Sequence, residues 1–78
     1  MSDERSALQN LVTTLFLHES AVTRLDVILR AESSDFDEGL QEIVELLPPG
    51  VYQRQRLCDQ LNSSLKGHGW TRKYGTVD

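Results

Sequence analysis

Residues 35–67 read DFDEGLQEIVELLPPGVYQRQRLCDQLNSSLKG, and this stretch decides the fold. Asp35 and Glu38 stand at capping-box spacing, with Asp in place of the usual Ser or Thr. Behind them Phe36, Leu40, Ile43, Val44 and Leu47 recur at helical intervals. A helix over about 36–47 follows, with carboxylates in its first turn, where the helix dipole favours negative charge. Pro48-Pro49-Gly50 ends it, because proline pushes the residue before it out of helical geometry and glycine eases the turn. Past that corner Val51, Leu57, Cys58, Leu61 and Leu65 mark an apolar face, which predicts a helix over about 52–66 with Gly67 as its stop.

Working upstream, neither glycine nor proline occurs between Ser2 and Ser33, and Leu8, Leu11, Leu15, Val22, Leu25 and Leu29 keep one stripe apolar on a seven-residue cycle. The reading is one continuous or gently bent helix over about 3–32, with a pair of shorter helices, the second capped by Ser20, as the alternative. Working downstream, residues 67–78 hold three glycines and no helical period, which predicts an irregular or hairpin-like tail. The expected fold is therefore all-α. A helical domain over 1–66 forms a small bundle of three helices, or four if the first is broken, and the Gly/aromatic/basic tail spans 67–78. The stripe on the first helix outruns what a partner of about 12 residues covers, so burial of the remainder in a homodimer is expected.

Composition narrows the function classes. Seventy-eight residues suffice for one domain, and the longest apolar runs are triplets such as Leu15-Phe16-Leu17, so no membrane span is expected. The acidic opening Met-Ser-Asp-Glu does not resemble a secretory leader, and the single cysteine, Cys58, builds neither an internal disulfide nor a thiolate metal cage. A cytosolic location is the expectation. The net charge of -4 is unevenly placed: three basic residues face ten acidic ones over 1–47, giving -7, and five face two over 48–78, giving +3.

No nucleophile elbow, phosphate-cradling loop, HExxH zinc motif or dinucleotide fingerprint occurs, so neither an enzyme activity nor a cofactor or metal is expected. Cys58 reads as a small core residue, and Glu38, Glu42 and Glu45 read as one solvated face. His18 falls on the apolar stripe, the position of a packed or interface histidine rather than of a metal ligand. The remaining chemistry lies near the corner and in the tail. Tyr, Trp and Arg dominate binding energy when desolvated, which makes Tyr52, Arg54, Arg56, Trp70, Arg72, Lys73 and Tyr74 candidate residues for binding an as yet unidentified protein. The leading functional expectation is a small non-enzymatic interaction or regulatory module. The alternative is a helix-turn-helix-like protein that reads nucleic acid with Gln53, Arg54, Gln55 and Arg56 at a helix start and with Arg72 and Lys73 on the tail.

Overall fold

The computed structural model describes residues 4–34 and 36–78, so the proposed cap Asp35 and the helix start at Asp3 lie outside the described residues. The described elements are, in chain order, helix α1 (Glu4–Leu15), strand β1 (Ala21–Thr23), helix α2 (Arg24–Ser33), helix α3 (Glu38–Glu45), strand β2 (Val51–Gln53), helix α4 (Arg54–Gly67) and helix α5 (Thr71–Tyr74). The architecture is predominantly helical, and the one small sheet among the described residues is a three-residue antiparallel pair.

The expected 3–32 helix is broken. α1 stops at Leu15, and after a turn Val22 pairs with Tyr52 across the sheet, which sinks both side chains into the core. Thr23 then starts a new helix with a complete capping box. Its hydroxyl accepts from the Asp26 amide at 3.1 Å, and the Asp26 carboxylate accepts from the Thr23 amide at 2.9 Å. Two otherwise unsatisfied amides are paired at once, which is why the chain restarts there without any proline or glycine. The restart also rotates the apolar face. Val27 and Ala31 point inward, whereas Leu25 and Leu29 of the expected stripe are 62% and 54% exposed.

The middle of the chain follows its sequence signals with small shifts. α3 is capped by Asp37, whose carboxylate accepts from the Leu40 amide at 2.9 Å, and its inner face is Leu40, Ile43 and Val44. Instead of a helix from 52, residues 51–53 form β2, with Tyr52 inward and Val51 outward. α4 then buries Leu57, Cys58, Leu61 and Leu65. Arg24 ties the corner together. Its amide donates to the Gly50 carbonyl, and its guanidinium donates to the carbonyls of Leu47 and Glu45, each at 2.7 Å. α3 has no basic residue in its last turn, so a cation from another helix satisfies its free carbonyls.

The tail is ordered rather than hairpin-like. Beyond α4 the amides of Gly69 and Trp70 donate back to the carbonyls of Lys66 and Leu65, the paired bonds of a Schellman motif with Gly69 at φ 71°. The left-handed residue is Gly69, two places beyond the expected stop at Gly67, which forms the last residue of α4. This reversal sends Trp70 back toward the core and starts α5, so that Tyr74 and Val77 are buried among the helices. The Cα radius of gyration is 11.2 Å. A packed chain of this length has about 11.5 Å, so leucines left outside belong to a closed fold rather than to a loose one.

Candidate interaction surfaces

The aromatic members of the sequence-derived site are mostly internal. Tyr52 is 1% exposed, its hydroxyl donates to the Pro48 carbonyl, and the Arg56 guanidinium covers its ring at 5.4 Å. Tyr74 is equally buried, with its hydroxyl 3.2 Å from both carboxylate oxygens of Asp37 and its ring edge-on to Trp70. Neither tyrosine presents a face to a partner in this fold. Trp70 is half-buried and stacks obliquely on His68 at 4.7 Å.

The exposed cations of that set lie on two elements, α4 and α5, with separate engagements. Arg54, in the first turn of α4, donates to the Asp78 main-chain oxygen. Lys73 lies over the Tyr74 ring at 5.0 Å and lines an open cleft with the acidic residues Asp37, Glu38 and Glu42. Gln53 precedes α4 and makes no capping bond with its side chain, Gln55 donates to Asp59, and Arg72 is exposed on α5. Lys73 therefore faces carboxylates, and the side chains of Arg54 and Gln55 are used within the chain.

Cys58 is 3% exposed, and burial raises its thiol pKa above the ordinary 9.0, the unreactive state of a packed cysteine. His18 is exposed in the turn between α1 and β1 rather than on a helical stripe. No group of three or more His, Cys, Asp or Glu that could hold a metal ion occurs among the described residues, and no described helix is long and apolar enough to cross a membrane.

No protein-family model, curated protein or solved structure matches this chain. The most conspicuous feature is aliphatic: Leu17, Leu25, Leu29, Leu46 and Val51 are half to two-thirds exposed. Three of them are chain neighbours of Arg24 or of its hydrogen-bond acceptors. Leu25 follows it in α2, Leu46 lies between its acceptors at Glu45 and Leu47, and Val51 follows its acceptor at Gly50. Leu29 lies one turn beyond Leu25 and lines an open cleft of about 500 Å³ together with Leu15, Val22, Asp26 and Arg30. Large aliphatic side chains exposed to this degree are candidates for covering by a partner. Helical periodicity pointed to the two α2 leucines as core. Only the Thr23/Asp26 capping box, an [ST]-x-x-[DE] pattern, carried a sequence signal for the rotation that exposes them.

Proposed function

We propose that this chain is a small, non-enzymatic interaction module of the cytosol that acts by surface binding and associates with a second copy of itself. The observation that carries the reading is the set of aliphatic side chains exposed around Arg24 and along α2, on a chain whose core is already closed. In fold terms we read it as the four-helix variant of a small bundle, α1 to α4, with α5 laid across α1 and α4.

Charge favours a second copy as the occupant of the leucine face. Asp26 and Arg30 lie one turn apart beside Leu29, so a twofold axis across α2 sets each carboxylate toward the other copy's guanidinium and encloses the leucines. A standard interface buries about 800 Å² per partner, and in this reading the exposed aliphatic side chains supply its centre and the flanking charges its rim.

Light scattering over a concentration series tests the reading. The expected result is a dimer at micromolar concentration that becomes a monomer in the double variant Leu25→Asp, Leu29→Asp, with an unchanged circular dichroism spectrum. A wild-type chain that stays monomeric at hundreds of micromolar refutes the self-association. Duplex DNA binding with a steep salt dependence, weakened by Arg54→Ala and Arg56→Ala, would replace this reading by the nucleic-acid one.

A further inference from the structure

The chain beyond α5 is held in an unusual way. Gly75, at φ 77°, leads into residues 76–78, which belong to neither a helix nor a strand. The Asn62 carboxamide of α4 donates to the Val77 carbonyl at 2.9 Å and accepts from the Val77 amide at 2.8 Å. The Gln9 carboxamide of α1 does the same for the next residue, donating to the Asp78 oxygen and accepting from the Asp78 amide, both at 3.0 Å. Arg54 adds its guanidinium to the Asp78 oxygen.

A carboxamide carries one acceptor and a two-hydrogen donor, the same complement that a neighbouring β-strand offers through its peptide groups. In an extended chain the main-chain groups of successive residues face opposite sides. Val77 turns its pair toward α4 and Asp78 turns its pair toward α1, the alternation that an extended segment shows, so residues 77 and 78 pass between two side chains that imitate strands. All of these polar contacts go to main chain. The one side chain the groove reads is Val77, 5% exposed, while Thr76 and Asp78 remain outside.

We infer that the channel bounded by Gln9, Arg54 and Asn62 is a binding groove for an extended peptide of a partner protein with a β-branched aliphatic residue at its centre, and that residues 76–78 are its displaceable internal occupant. Recognition of this kind is strand addition: main-chain bonds supply affinity and one pocket supplies selectivity. The internal occupant taxes every outside ligand by the fraction of time it sits in place. This inference is independent of the leucine face on α2 and of self-association.

The tethering of the occupant fixes the scale of the test. A short flexible tether holds its end at a local concentration of the order of millimolar, so a segment that stays docked implies a dissociation constant of about 1 mM or below for the same peptide free in solution. In Val77→Asp the strap is released, and the side-chain NH₂ resonances of Gln9 and Asn62, followed by nitrogen-correlated NMR, move to solvent-like positions. The blocked peptide acetyl-Tyr-Gly-Thr-Val-Asp-amide, added to about 5 mM, then returns both pairs toward their wild-type positions. The same peptide with Asp in place of Val leaves them unmoved, and addition of Asn62→Ala abolishes the response. Should Val77→Asp perturb the core resonances, Val77→Gly serves the same purpose without a buried charge. The inference is overturned if the emptied groove ignores the valine peptide, if both peptides act alike, or if the resonances stay in place when Val77 is removed. It is equally overturned if they shift with protein concentration alone, which would make another copy's tail the ligand.

Discussion

Replacing Gly39 by alanine sets two local effects against each other. Gly39 is the second residue of α3, and a methyl group there would overlap the Tyr74 phenolic oxygen and come within 3.1 Å of its Cζ. Helix propensity alone favours the substitution by up to about 1 kcal/mol. Against this, Tyr74 is enclosed on every side, so relief of the overlap requires the ring to retreat. The retreat strains the packing, at about 1–3 kcal/mol, and breaks the hydroxyl's bonds to the Asp37 carboxylate, at about 1.5 kcal/mol. The net expectation is a loss of about 2 kcal/mol, which for a chain of this size lowers Tm by about 8–16 °C. Thermal and urea melts by far-UV circular dichroism measure it. A double-mutant cycle with Tyr74→Phe, which removes the clashing oxygen, should show that Gly39→Ala costs at least about 1 kcal/mol less in the Phe background. A Gly39→Ala variant as stable as the parent, or a cycle with no coupling, refutes the close approach of α5 to the start of α3.

Gly67→Ala should do the opposite and stabilise by about 0.4–1 kcal/mol, since its methyl meets nothing within 4 Å and the position is helical; a fall in the urea midpoint would contradict it. Arg24→Ala should cost about 1.5–3 kcal/mol, and Arg24→Lys should recover less than half of it, because an ammonium cannot reproduce the two-point grip on the Glu45 and Leu47 carbonyls. Thr23→Ala should cost about 1 kcal/mol through loss of the cap. Bonds from the Thr23 amide and hydroxyl hold Asp26 below its ordinary pKa of 3.8. Its contribution is therefore present above about pH 4 and is lost as pH falls through the depressed value. Thr23→Ala should flatten that acid limb of the stability profile. Cys58 carries the reverse sign. Burial favours the neutral thiol, so stability should fall as pH rises past 9.0, where the unfolded chain ionises first, and alkylation by iodoacetamide at pH 8 should track unfolding.

What the amino-acid order determined by itself is the part governed by near neighbours. The helix before Pro48, the corner at Pro48-Pro49-Gly50 and the face Leu57, Cys58, Leu61 and Leu65 follow from caps, breakers and periodicity acting within a turn or two. Even the break after Leu15 had a local trace in Thr23 and Asp26, although the apolar period runs straight through it. The tail was legible only as punctuation. That Gly69 turns it inward, and that Trp70, Tyr74 and Val77 then lie against the helices, depends on surfaces contributed from elsewhere in the chain.

Only tertiary structure decided which side chains were left for function. Tyr52 is buried because β2 pairs with a strand some thirty residues earlier, and Tyr74 because Asp37 and Gly39 receive it across thirty-seven. Leu25 and Leu29 are outside because the sheet pairing resets the rotation of α2. Gln9 and Asn62, polar residues on two different helices, acquire a shared purpose only where residues 77 and 78 pass between them. Periodicity reports how apolar a helical face is, whereas the packing of the whole chain selects the face that turns inward, because burial is settled by the sum of all contacts and not by any one segment.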